Sequence, residues 1–261
     1  MKSLILFFLA ISLIVMLPIV GLSAEKSLVL YLPFDGTLND LSDTGLKGKL
    51  KGKADFIDGK SGKALLFDGK SSVEIPHDKA LNLTKAHAIS FWLKWDGGGA
   101  SWCPFIAKRS AGGANYQSWV GSDRIFDYYN GAAVVSATTP VPLGKDWIFL
   151  TTTHDGKNTV SFYVNGDLNS KQNAPAGKAN NSPLLVGQDG VGNFGSGGID
   201  ELALFNQTLT PDEIKILMKR GVKVFAAIEP ISKLTATWGN IKDKFYMNVI
   251  NGLDRDRYRD K

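Results

Sequence analysis

The sequence is poor in the residue types that carry most enzyme and metal chemistry. Cys103 is its only cysteine, so no disulfide can close within the chain and no cysteine cluster can hold zinc. Flanked by Trp102 and Pro104, that residue reads as a small apolar side chain at a strand edge; a reactive thiol is the other reading. The three histidines, His77, His87 and His154, show neither His-x-His nor HExxH spacing, and no zinc site is expected from them. His154, beside Asp155, reads as the polar end of a strand. No nucleophile elbow supports a serine hydrolase. The net charge of +5 is scattered, with clusters only at Lys47 to Lys53 and near the carboxyl terminus, where acids alternate with bases. Such a surface offers no stripe for a nucleic-acid backbone and leaves at most a weak attraction to acidic polysaccharide. Beyond the amino-terminal segment, no run is long and apolar enough to cross a membrane.

That segment has one charge, Lys2, an apolar run from Leu4 to Val20, and small residues up to Ala24. It reads as a secretory signal peptide over residues 1–24 with cleavage before Glu25; an uncleaved anchor is the alternative. The expectation is a secreted protein, extracellular, cell-surface or periplasmic, with no membrane span after cleavage. Residues 25–221 fit one large all-β domain, big enough to be stable without covalent staples. Residues 222–261 form an extension of different composition, ending in the charged DRDRYRDK, which reads as disordered.

What the chain does have is β-patterning. LVLYLPF from Leu28 to Phe34 places Leu28, Leu30, Leu32 and Phe34 on one face, the period-2 signature of a half-buried strand. Further strands are expected at Ala64 to Asp68, Ser72 to Ile75, Ala88 to Trp95, Tyr116 to Val120, Arg124 to Tyr129 and Ala132 to Ala137, with a short one within Lys49 to Phe56. Trp147 to Gly166 alternates, turns at Asp155-Gly156 and alternates again to Asn165-Gly166, an antiparallel hairpin with a second turn behind it. Turn signals this frequent belong to a sandwich or jelly roll, and the absence of βαβ alternation excludes a parallel α/β fold. One short helix is expected from Thr210: Thr210 is the N-cap, Pro211 occupies the first helical position, Glu213 completes a capping box, and Gly221 is placed to end it. The GxGxxG match at Gly190 to Gly195 is followed by glycines and a strand, not a helix, so it reads as a loop between strands and not as a nucleotide site.

In order, LVLYLPFDGTLNDLSDTG, GKSGKALLFDGKSSVEIP, AISFWLKW with PFIAKR, the hairpin, LLVGQ and GGIDELALFNQTLTPDEI resemble a laminin G-like domain of the concanavalin A-like lectin and glucanase class, in its bacterial exported form. The resemblance covers about residues 28–220. It implies a two-sheet antiparallel jelly-roll sandwich, a structural calcium, and a role in binding carbohydrate or protein outside the cell. The early loop, DLSDTGLKG, departs from the DSSG-type turn usual in the family, so loop ligands are not carried over.

If the opening strand pairs with Ile199 to Phe205, as the resemblance implies, Asp35 and Asp200 reach one edge. Calcium takes about six to eight oxygen ligands and favours such carboxylates together with loop carbonyls and waters; Asp40 or Asp43 would add a third. The plainer reading makes Asp35 the turn residue of Asp-Gly and gives Asp200 a loop hydrogen bond. Glycoside hydrolysis needs two carboxyls about 5 to 9 Å apart, which residues i and i+2 of a strand supply. Asp200-Glu201 are adjacent and are expected to point to opposite faces, so a glycoside hydrolase or lyase is disfavoured and no catalytic residue is assigned.

Ligand binding then rests on aromatic rings for sugar C–H faces and on polar side chains for hydroxyls. Residues 96–130 concentrate both: Trp102, Arg109, Asn115, Tyr116, Gln117, Trp119, Asp127 and Tyr128 are the candidate ligand contacts, with Tyr129 among the rings of the same segment and with packing between the sheets as the competing role for the aromatics. Trp92, Trp95 and Trp147 read as core. The function expected is a secreted, non-catalytic recognition module for carbohydrate or cell-surface glycan; the alternative is a structural or adhesive protein that docks extracellular protein partners.

Overall fold

The computed structural model describes residues 28–98, 101–144 and 146–226. The signal-peptide reading, its cleavage point and the disorder expected at the carboxyl terminus fall outside them. The strands, in chain order, are β1 (Leu28–Leu32), β2 (Lys49–Lys51), β3 (Ala54–Asp58), β4 (Lys63–Asp68), β5 (Ser72–Ile75), β6 (His87–Lys94), β7 (Trp102–Ser110), β8 (Gly113–Gly121), β9 (Phe126–Tyr129), β10 (Val134–Ser136), β11 (Ile148–His154), β12 (Thr159–Val164), β13 (Asp167–Asn173), β14 (Leu184–Val186) and β15 (Ser196–Phe205). A helix, α1, covers 211–226.

The strands form two antiparallel sheets. The first runs β13-β12-β11-β6-β15-β4-β3, with β1 also on β15; the second runs β10-β9-β8-β7-β14-β5-β2. As expected, the opening and closing strands lie side by side, Tyr31 opposite Ala203 and Leu32 opposite Leu202. The hairpin is β11 on β12, followed at Asn165-Gly166 by a turn whose positive φ values (52° and 81°) suit a tight reversal into β13. β13, DLNSKQN, has no apolar alternation to announce it and sits exposed at the sheet edge. The single short strand expected within Lys49 to Phe56 is two. Gly52, at φ 82°, turns the chain so that β2 joins the second sheet and β3 the first.

Inward-facing side chains of both sheets make the main core, among them Leu30, Leu32, Phe91, Phe105, Phe126, Phe162 and Leu204. A second apolar cluster lies on the other face of the first sheet, where Tyr31, Trp92, Phe149 and Phe205 meet Ile214, Leu217, Val222 and Phe225 of α1. The capping box is reciprocal: the Thr210 amide donates to Glu213 Oε2 (2.7 Å) and the Glu213 amide to Thr210 Oγ1 (3.3 Å). Gly221 has a left-handed φ of 78°, yet helix resumes after it, so the glycine redirects α1 instead of ending it. Among the described residues no helix is long and apolar enough to cross a membrane.

Candidate functional site

The ligand residues expected from sequence fall on β7, β8 and β9, which are neighbours in the second sheet, and strand alternation sorts them. Tyr116 and Tyr128 take the inward phase and are fully buried in the core. The Tyr116 hydroxyl donates to the Leu81 carbonyl (3.1 Å), and the Tyr128 hydroxyl meets His87 Nε2 (3.0 Å). Burial pushes both phenols up, and neither reaches the outer face. Gln117, Trp119 and Asp127 have the opposite phase. Asn115 is the extra residue at an irregularity opposite Lys108 and Arg109 and is buried: its Oδ1 accepts from the Leu83 amide (2.8 Å) and its Nδ2 donates to the Lys178 carbonyl (3.1 Å), a structural tie and not an open contact.

Trp102 and Arg109 both face outward although one has an even and the other an odd number. A bulge in β7 between Pro104 and Ile106 shifts the strand's phase, so that Cys103, Phe105 and Ile106 all face the core while both ends present side chains to the same outer surface. Buried Cys103 donates through Sγ to the Ser196 carbonyl (3.5 Å), and burial pushes its thiol up to about 11; it packs as an inert side chain.

Trp102, Arg109, Gln117, Trp119, Asp127, Tyr129 and Val134 line a groove of about 470 Å³ on this face. Two rows build it. Trp119 stands opposite Asp127, which stands opposite Ser136; Gln117 stands opposite Tyr129, which stands opposite Val134. The rows are two residues apart, ~7 Å along the strands, and each pairs an aromatic ring with polar groups. Trp102 is 64 % exposed at one rim. Arg109 donates from Nη1 to Gln117 Oε1 (2.7 Å) and lies 5.3 Å from the Tyr129 ring centroid, a cation–π arrangement. Behind it, Asp189 Oδ2 is 4.0 Å away. Desolvation raises the Asp127 carboxyl above the usual range; hydrogen bonds from Ser136 and Trp119 pull it back in part, and the like charge of Asp123 adds to the rise. Tyr129 belongs with the aromatic rings read from sequence, whereas no sequence signal singled out Val134. Tyr129 is two residues from Asp127 and so shares its face, and Val134 faces Tyr129 across the Asn130-Gly131 turn.

The second constellation is the acidic rim. Asp35 and Asp200 both meet the 59–63 loop: the Lys63 amide donates to Asp35 Oδ1 (2.8 Å), and the Lys60 and Ser61 amides donate to Asp200 Oδ2 (2.7 and 3.0 Å). Gly62, at φ 60°, is required there, because a Cβ would sit 2.1 Å from Asp35 Oδ1. Asp200 and Glu201 do not point to opposite faces. Ile199 and Leu202 both face the core, and the two residues between them form a bulge, with Glu201 at φ 51°, that turns both carboxylates outward. Glu201 Oε1 accepts from the Tyr31 hydroxyl (2.6 Å). Its carboxylate also accepts from the Val222 amide, which fastens α1 to the sheet. Desolvation raises Glu201, and pushes Asp200 up to about 7 with help from the neighbouring Glu201 charge.

Asp40 is fully engaged elsewhere. Its Oδ1 accepts from the Tyr31 and Ser42 amides, and its Oδ2 from the Ser42 and Thr44 hydroxyls and the Leu46 amide. Among the described residues no group of three or more His, Cys, Asp or Glu side chains is placed to hold a metal. One observation suits a hard cation: Asp200 Oδ1 is buried with no hydrogen-bond partner, an oxygen that a cation would satisfy.

Two facing antiparallel sheets with a ring-lined groove on one outer face define a jelly-roll sandwich of lectin type. A model of the concanavalin A-like lectin/glucanases superfamily, laminin G type, matches residues 67–215. The chain belongs to that family. No curated protein matches it. Among solved structures, it is similar to domain 4 of AbnA, a GH43 extracellular arabinanase from Geobacillus stearothermophilus, in complex with arabinotriose (TM-score 0.62, 20 % identity, 74 % of this chain and 98 % of that one). It is also similar to the binding domain of botulinum neurotoxin DC in complex with SialylT (TM-score 0.61, 16 % identity, 76 % of this chain and 52 % of that one). The same binding domain in complex with rat synaptotagmin II gives a TM-score of 0.60 at 16 % identity, over 75 % of this chain and 52 % of that one. The chain thus spans about half the length of the toxin binding domains, and at these identities the likeness is one of fold.

Proposed function

We propose that this protein is a secreted, non-catalytic carbohydrate-recognition module whose ligand lies in the groove of the second sheet. The observation that carries the reading is a groove in which the exposed Trp102 ring and the half-buried Tyr129 ring stand with Asp127 and Arg109, over a floor of largely buried Trp119 and Gln117. Rings of this kind take the apolar face of a sugar while the polar groups meet its hydroxyls. The arabinotriose and SialylT complexes of structures with the same fold support a sugar over other ligands. The non-catalytic reading is supported by the binding domains among the structures of the same fold, and the Asp200 and Glu201 pair is buried.

Trp102→Ala tests the reading cleanly because the side chain is mostly exposed. Stability is expected to change by less than about 0.5 kcal/mol. Affinity for the best ligand on a glycan array, arabinotriose included, is expected to fall about tenfold, the equivalent of ~1.4 kcal/mol. Unchanged glycan affinity would remove the groove from the reading. A second reading, an adhesive protein with protein partners, draws support from the synaptotagmin complex of the toxin domain and from the exposed Trp102 and Val134 at the rim; silence on the array would favour it.

A structural calcium belongs to the same proposal. Asp200 through its unpartnered Oδ1, and Asp35 beside it, would hold the ion, with backbone oxygens and water completing its shell. Starting from calcium-loaded protein, excess chelator is expected to lower the melting midpoint by several degrees, and Asp200→Asn to abolish that response. An unchanged midpoint would count against the ion.

A further inference from the structure

Arg109 gives the groove the look of an anion receptor, but its surroundings argue otherwise. Its charge is opposed from behind by Asp189, 4.0 Å away and nearly closed to solvent, and one arm of the guanidinium is committed to Gln117. Asp127 has no such compensation. It takes part in none of the ion pairs found among the described residues, and the charged group acting on it is Asp123, of the same sign. Those two carboxylates gather around Gly121: a Cβ built there would lie 2.5 Å from Asp123 Oδ1 and 3.7 Å from Asp127 Oδ2. Gly121 in turn stands opposite Trp102, so the acidic pair marks the Trp102 end of the groove.

We propose that Asp127 sets the ligand class of the groove, admitting neutral, hydroxyl-rich glycans and refusing glycans that carry carboxylate or sulfate groups. The inference rests on the carbohydrate reading above. Ser136 and Trp119 each donate one hydrogen bond to the Asp127 carboxylate. A carboxylate offers roughly four acceptor sites, so about two remain for hydroxyls of a sugar whose apolar face lies on the exposed Trp102 ring at that end of the groove. The two internal donors hold the carboxylate in place before the ligand arrives, which spares the ordering cost at binding. A uronate or sulfate in the same position meets an uncompensated negative charge within an aromatic-walled groove, where repulsion is screened less than in bulk water.

Calorimetric titration of the full chain with two ligand sets tests this: neutral arabinan-, xylan- and glucan-derived oligosaccharides, and oligogalacturonate with a sulfated glycan of matched length. The wild type is expected to bind its best neutral ligand at least tenfold tighter than any acidic one, and ~1 M salt is expected to narrow that ratio as repulsion is screened. Asp127→Asn, checked by melting for an intact fold, is expected to lose about tenfold on the neutral ligand and to bring the ratio below threefold. The salt series on wild-type protein keeps the test decisive if that variant does not fold. A wild type that prefers acidic glycans, a ratio indifferent to salt, or a folded Asp127→Asn protein that discriminates as before would overturn the role of Asp127 while leaving carbohydrate binding standing. Silence of the wild type in both sets would overturn the carbohydrate reading itself, and this inference with it.

Discussion

Truncating Phe126 to alanine is expected to lower the unfolding free energy by about 3–5 kcal/mol, the range for removing a large aromatic side chain from a packed core. Phe126 comes from β9 of the second sheet and is fully buried. Its ring meets Phe162 of β12 edge-on, with centroids 5.5 Å apart, and Phe91 of β6 edge-on at 6.3 Å. Both partners belong to the first sheet, so one side chain joins the two layers, and its loss leaves a cavity that neither sheet can close alone. Urea unfolding of Phe126→Ala and Phe126→Leu measures this. Leucine, filling part of the volume, should recover a substantial share. A loss below about 1 kcal/mol for alanine would mean that the layers do not pack through this residue.

The stabilising contribution of neutral His87 is expected to be lost in acid well above the range where most carboxylates titrate. His87 is fully buried, and burial, with a smaller contribution from His154 stacked 5.2 Å away, holds its pKa down to about 4 against 6.5 for the free side chain. Its Nδ1–H donates to the Lys85 carbonyl (2.8 Å), which leaves Nε2 to accept from the Tyr128 hydroxyl. The neutral ring is therefore the one that fits. Because the folded pKa lies below the unfolded one, the stabilisation is fully present above pH 6.5 and is lost as pH falls toward 4. The loss is about 3 kcal/mol at roughly 1.4 kcal/mol per pKa unit. The difference in unfolding free energy between wild type and His87→Gln, followed from pH 7 to pH 4, should show this slope, because the raised carboxyls of Asp200 and Glu201 act with the opposite sign and equally in both proteins. A difference that stays level from pH 7 to 5 would show that the imidazole titrates unhindered.

A regular period located the strands but not every side chain: β1 is irregular between Leu28 and Leu30, so Leu28 packs with the cluster under α1 and not with Leu30 and Leu32 in the main core. β5 falls at Ser72–Ile75 as expected, β6 and β15 within one to three residues, and the Thr210–Glu213 box forms the bonds its spacing implies. The same period carried more about the groove than was drawn from it. Tyr116 and Tyr128 are each one residue from outward neighbours, Gln117 and Asp127, so alternation alone separates core rings from groove side chains, and it also places Tyr129 outside. What alternation could not supply is the position of a bulge. The extra residue near Phe105 brings Trp102 and Arg109 to one face, and the extra residue at Glu201 brings two acids together. Neither is a glycine that would betray an unusual backbone. Such irregularities arise from how neighbouring strands are held, which a local window of sequence does not contain.

The helix α1 shields the outer face of the first sheet, whereas the groove opens on the outer face of the second. Phe225, packed edge-on against Phe205 with centroids 5.7 Å apart, therefore leaves the sandwich on the side away from the ring-lined surface. A linker placed on the exposed side of α1, at Lys223 or Val224, on a bead or to another domain, should leave the ring-lined groove open to the surrounding medium.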